Sequence, residues 1–99
     1  MAGFVQIIEI QTSQIDELMA LTDELRSSAS EGSTVQRDTY TEDMDRPGYY
    51  VSIIEFDSYE SAMRNSNRPE TSAFSARMAK LCDSPPRFYN LKVLNTYEA

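Results

Sequence analysis

The sequence contains no histidine and no tryptophan, and its single cysteine is Cys82. Without histidine the commonest general base and the commonest zinc and haem ligand are missing. Every Ser-His-Asp or Cys-His arrangement is excluded with it. One cysteine rules out a disulfide framework and any multi-cysteine metal site. No apolar run approaches the roughly 20 residues of a membrane-spanning helix, and the first residues lack the basic-then-apolar form of a signal peptide. Basic residues are scarce as well, nine against sixteen acids, for a net charge of −7. Such a domain repels phosphate backbones and anionic lipid, so neither nucleic acid nor a membrane surface is an expected partner. With a lone thiol and no N-x-S/T sequon, the cytoplasm is the expected compartment.

What is present is a 99-residue chain, 40% apolar and 25% charged. That is the balance of a folded protein and the length of one domain, so residues 1–99 are read as a single unit. The acidity is local. Ten of the sixteen acids fall in residues 1–50, opposed there only by Arg26, Arg37 and Arg46. The loop Glu42–Asp45 has no glycine or ligand spacing that matches a calcium loop and reads as a solvated turn.

Phe4–Ile10 is short and β-branched, the pattern of a first strand, with apolar residues on both faces. A helix follows, with Ser13 as its expected cap and Asp16 as its capping-box partner. Ile15, Leu18, Met19, Leu25 and Ala29 recur at helical spacing, Thr22 completes the stripe, and Gly32 is the stop. Thr34–Thr41 reads as a polar second strand, Pro47-Gly48 as a turn, and Tyr49–Phe56 as a third strand. Asp57 is the expected cap of a second helix, with Glu60 in its box and an i,i+4 pair to Arg64. Pro69 breaks that helix and suits the first position of a new piece capped by Asn67 or Arg68, which carries Phe74, Met78 and Leu81. Phe88–Tyr97 is the last strand. The order is β-α-β-β-α-β, an α+β ferredoxin-like arrangement with a four-stranded antiparallel sheet and both helices on one face.

Two helices cover one face of such a sheet. Phe4, Ile8, Ile10, Ile54 and Phe56 form one apolar set, and Val5, Ile7, Val51, Ile53, Leu91 and Val93 form another. An uncovered apolar sheet face exceeds what soluble monomers usually expose, so a homodimer packed sheet to sheet is expected.

These features resemble the dimeric α+β barrel superfamily, and within it the antibiotic biosynthesis monooxygenase-like branch. The likeness rests on Phe4–Ile10, the third strand ending Ile53–Ser58, the helix led by Tyr59–Met63, the break Asn65–Thr71 and the closing strand Phe88–Leu94. The resemblance implies a homodimer whose ligand lies in a cleft between sheet and helices. It also implies oxidation of a small phenolic or polyketide-like molecule without a bound cofactor or metal. The haem-degrading branch holds iron with a histidine on the second helix; here Ile8, Ser66 and Phe74 stand near the functional places of that branch, and haem degradation is not expected.

Asn65, Asn67 and Arg68 cluster at the helix break and are the catalytic candidates. Their amides suit a phenol or carbonyl, and the guanidinium suits an enolate or carboxylate. Capping by Asn67 and solvation of Arg68 would account for both residues without a ligand, and an Asn before a Pro-led helix start is fully explained that way. Gln6, a polar residue among apolar strand neighbours, Arg37, Tyr50 and Phe74 are the candidates for binding substrate. Arg37 could instead pair with the Glu42–Asp45 loop. Strand tyrosines (Tyr40, Tyr49, Tyr50, Tyr89, Tyr97) are also ordinary core or interface residues. A non-catalytic binding or stress-related module and a cofactor-free isomerase or cyclase are the alternative functions. A cavity of about 300 Å3 or more with asparagine and arginine groups would favour a ligand. A cleft shut by Met63, Phe74 and Met78 would favour a purely structural domain.

Overall fold

The computed structural model describes residues 3–28 and 33–99. The order is β1 (Phe4–Gln11), α1 (Ile15–Ser28), β2 (Val35–Glu42), β3 (Tyr49–Phe56), α2 (Tyr59–Ser66), α3 (Pro69–Leu81) and β4 (Arg87–Lys92). The strands form one antiparallel sheet in the order β2-β3-β1-β4. The two most apolar strands, β1 and β3, take the centre, and polar β2 is an edge. The helix stop expected at Gly32 and the stripe position of Ala29 lie outside the described residues.

Side chains alternate along a strand, so the register decides which residues meet the helices. Phe4 pairs with Phe56, Gln6 with Ile54 and Ile8 with Ser52, and β4 adds Phe88 opposite Ile8. Phe4, Ile8, Ile10, Ile54 and Phe56 are buried in one cluster with Leu18 of α1, Ala62 of α2 and Met78 of α3. The expected apolar set thus faces the helices. The second set, Val5, Ile7, Val51 and Ile53, is only partly covered on the other side, and Leu91 is 45% exposed.

Several local expectations are corrected. Hydroxyl capping near α1 comes from Thr12, not Ser13: buried Thr12 Oγ1 accepts from the Gln14 amide at 2.9 Å and donates to the Leu81 carbonyl at 2.6 Å. One side chain thereby ties the start of α1 to the end of α3. Ser58, not Asp57, caps α2, its hydroxyl accepting from the Ser61 amide at 3.1 Å. Arg64 donates to Ser61 Oγ rather than pairing with Glu60. At the break, Asn67 closes α2 and Arg68 precedes α3 without a side-chain cap, Pro69 opening the new helix. The last strand ends at Lys92, so Tyr97 lies beyond the sheet, 88% exposed.

Strand β2 carries a bulge between Val35 and Arg37. Val35 opposes Phe56, yet Arg37 opposes Glu55 and Asp38 opposes Ile54. The extra residue reverses the alternation. From there on Asp38 and Tyr40 face the helices, while Arg37, Thr39 and Thr41 face away.

Candidate functional site

Between the sheet and the helices lies a cavity of about 330 Å3, within the range of small-molecule sites. Its apolar walls come from Ile8 of β1, Ile54 and Phe56 of β3, Phe74 and Met78 of α3 and Phe88 of β4. Gln6, Arg26, Asn65 and the hydroxyl residues Ser66, Thr71, Ser72 and Ser75 add polar groups. Phe74 and Met78 line the space without closing it, and Met63 packs against the core beside it.

The structure brings three of the sequence candidates together here: Gln6, Asn65 and Phe74. Gln6 points inward from β1, and its amide donates to Asn90 Oδ1 on β4 at 3.1 Å. Asn65 sits in the last turn of α2, and its Oδ1 is buried with no hydrogen-bond partner among the described residues. A buried acceptor without a donor costs free energy unless something supplies one.

The other four candidates lie elsewhere. Asn67 is exposed at the C-terminus of α2, and Arg68 pairs with Glu70 at 2.9 Å. Tyr50 lines a separate 120 Å3 pocket with Glu9, Tyr49 and Arg87. Burial and the neighbouring Glu42 carboxylate hold its phenol above the ordinary value. Arg37 is turned to the opposite side of the sheet by the bulge. It lies beside Val5, Val93 and Glu55, whose carboxylate is 3.7 Å away. The loop acid Asp43 takes Arg46 instead, at 2.8 Å. That guanidinium and the Asp45 amide hold the Asp43 carboxyl below its ordinary value.

The charged residue of the cavity is Arg26, which sequence reasoning missed. It lies in the last turn of α1, one turn beyond Thr22 on the inward stripe. Its Nη2 meets Asp38 Oδ2 at 2.6 Å, with the Asp38 side chain 13% exposed and the Arg26 side chain 33%. Asp38 also accepts from the buried Ser52 hydroxyl at 3.1 Å. The Arg26 Nε–H, like Asn65 Oδ1, is buried without a partner among the described residues. Beside this pair the Thr22 hydroxyl donates to the Leu18 carbonyl, leaving the Tyr40 hydroxyl to donate to Thr22 Oγ1 at 2.7 Å. Burial, reinforced by the Asp38 charge, pushes the Tyr40 phenol up, so it stays neutral. An inward acid on β2 needs a cation from α1, and Arg26 is the basic residue in the last turn of that helix. That was the available signal, and the bulge concealed it.

Among the described residues no three His, Cys, Asp or Glu side chains converge on a possible metal position. Cys82 donates to the Met78 carbonyl, and burial raises its thiol pKa, which makes it a poor nucleophile. No helix among the described residues is long and apolar enough to cross a membrane.

No protein-family model and no curated protein matches the chain. Solved structures match over nearly its whole length. A candidate antibiotic biosynthesis monooxygenase of Deinococcus radiodurans superposes with a TM-score of 0.77 at 10% identity, covering 97% of each chain. SnoaB, a cofactor-independent oxygenase of Streptomyces nogalater, gives 0.75 at 13% identity over 96% of this chain and 97% of its own. A candidate antibiotic biosynthesis monooxygenase of Chloroflexus aurantiacus gives 0.72 at 18% identity over 96% of each. At these identities the likeness establishes the fold: a ferredoxin-like sheet-and-helix unit of the antibiotic biosynthesis monooxygenase type.

Proposed function

We propose that this chain, with the fold of the antibiotic biosynthesis monooxygenase structures, takes a small phenolic or polyketide-like molecule into the cavity and oxidises it without a bound cofactor. The observation that carries the reading is the 330 Å3 space between sheet and helices, apolar in its walls and holding the unpartnered Asn65 carbonyl oxygen. In cofactor-free oxidation the substrate is its own reductant. A phenol-activated ring methylene loses a proton, and the carbanion gives its electrons to dioxygen. One oxygen atom becomes a ring carbonyl, and the other leaves as water with the two methylene hydrogens. The protein's part is to bind, desolvate and favour the anion. Phe74, Phe56 and Ile54 suit a ring system, and Gln6 and Asn65 suit its polar edge. SnoaB, described as a cofactor-independent oxygenase, shares the fold, and fold alone does not fix chemistry.

Oxygen uptake in the presence of a dihydroxyanthrone tests the reading. Saturable uptake with formation of the quinone is expected, and Asn65→Ala should lower it. Binding with uptake no faster than in buffer would leave a non-catalytic binding module. Neither binding nor uptake would sink the proposal.

The same reading carries a homodimer in the cytoplasm. Its support is the partly covered sheet face of Val5, Ile7, Val51 and Ile53, continued by Leu91 and by Leu94, which is 88% exposed. A second copy packed sheet to sheet would bury this surface. Non-denaturing mass spectrometry should find twice the 11.3 kDa chain mass, and a bare monomer would refute the dimer.

A further inference from the structure

We propose that Arg26, clamped by Asp38, binds the oxygen of a phenolic ligand preferentially as its anion, while Asn65 takes the hydrogen of a second hydroxyl on the same ring system. This rests on the ligand-cavity reading above and names the group that selects the ligand's charge state. Three observations support it. Arg26 and Asn65 line one cavity from different helices, α1 and α2. Each keeps one buried polar atom without a partner among the described residues, a donor in Nε–H and an acceptor in Oδ1. Asp38, itself fixed by Ser52, holds Nη2 at 2.6 Å, so among the buried guanidinium atoms Nε–H is the donor left over. A ligand offering one acceptor and one donor completes both residues. Both atoms are closed off from solvent in this state, so the ligand reaches them with a side-chain adjustment of the kind that accompanies binding.

The groups facing Arg26 set the size of the effect. Asp38 and Tyr40 approach from β2, Thr22 lies one turn back on α1, and Gln6 and Asn65 share the cavity as neutral amides. Asp38 balances the guanidinium charge, and Tyr40 stays an uncharged phenol. A bare cation at contact would lower a bound phenol's pKa by up to about three units, but a paired one acting through a single charge-assisted donor should give about one. The phenolate should therefore bind about tenfold more tightly than the phenol. The net charge of −7 works against anions at long range, so a preference for the anion has to come from a local donor.

The probe is beta-naphthol, whose neutral and ionised forms absorb differently. Titrated with the wild-type protein across its own ionisation, it should show an apparent pKa about one unit lower when bound. Arg26→Gln should erase that shift. Should Arg26→Gln fail to fold by circular dichroism, Arg26→Lys serves in its place. Lysine keeps the pair with Asp38 but has no second nitrogen to spare, so the tenfold preference should fall severalfold. A full shift retained in either folded variant overturns the role of Arg26. Binding without any shift in the wild type overturns it too and leaves the cavity reading standing, whereas no binding by the wild type overturns both.

Discussion

Replacing Asp38 by alanine should cost this domain about 2 kcal/mol, and the figure follows from the geometry of its two hydrogen bonds. Breaking a fully buried ion pair costs about 3–5 kcal/mol, because the surviving charge is stranded. Exposed pairs contribute at most about 1 kcal/mol. The pair here lies between those limits, since Asp38 is 13% exposed but Arg26 keeps 33% of its side chain in water. Water can therefore take over part of the guanidinium, while the buried Ser52 hydroxyl simply loses its acceptor. For a domain of about this size, 2 kcal/mol corresponds to a fall in melting temperature of roughly 8–16 °C. The converse change sharpens the reasoning. Arg26→Met, Asp38→Val and Ser52→Ala made together remove all the polar partners at once, and should leave stability within about 1 kcal/mol of wild type. Thermal and urea unfolding followed by circular dichroism gives both numbers, at one protein concentration so that any association is held fixed. A loss below about 0.5 kcal/mol in the single variant would mean the pair behaves as a surface pair. A triple variant as unstable as the sum of its single changes would refute the account of a polar cluster dispensable only as a whole.

Three further outcomes follow from other residues. Burial holds the Tyr40 phenol above 10.0 in the folded state, so the native protein keeps a proton that the unfolded chain loses. Stability should decline as pH climbs through 10.0 toward the higher folded value, and Tyr40→Phe should flatten part of that slope in urea midpoints taken on either side. Asn65→Ala removes an acceptor that has no partner, so its melting temperature should stay level or rise. Its affinity for a dihydroxyanthrone in equilibrium titration should drop roughly tenfold, the worth of one hydrogen bond; a destabilised variant with unchanged affinity would count against the site. Gly48 has φ +85°, and a Cβ there would meet nothing closer than the Thr12 carbonyl oxygen at 3.7 Å. Gly48→Ala should therefore cost only the backbone penalty of about 1–2 kcal/mol, read from the shift in unfolding midpoint.

The central strands were legible because β-branched density in Phe4–Ile10 and Tyr49–Phe56 leaves little choice of structure, and their two apolar faces identified the core set by residue. Strand β4 was overread because a strand needs a neighbour as well as a suitable sequence. Beyond Lys92 the opposite strand, β1, has run out at Phe4. The caps went one residue astray because serine, threonine and aspartate crowd both helix starts, and which of them reaches the amide is a matter of backbone direction. Within the site, Gln6 could be picked by its strand face and Asn65 by its place at the helix break, whereas the cleft itself and the place of Phe74 came from the family resemblance. Arg26 and Asp38 could not be picked, since they meet only when α1 is laid on the sheet. The parity of β2 hid them further. Counted from Val35 without interruption, Arg37 would share its inward face and Asp38 would point away, the reverse of what the bulge produces.

That single extra residue also bears on how a site of this kind can change over generations. Gln36 is exposed where the ladder is interrupted, so its gain or loss by one codon removes little packing. Yet it turns over the rest of β2 as a block, carrying arginine in and aspartate out. The electrical sign of the helix-facing side of β2 is thus stored in the spacing between residues, separately from their identities. Descendants of one gene could diverge in the charge they accept while an alignment of their side chains shows a lone gap.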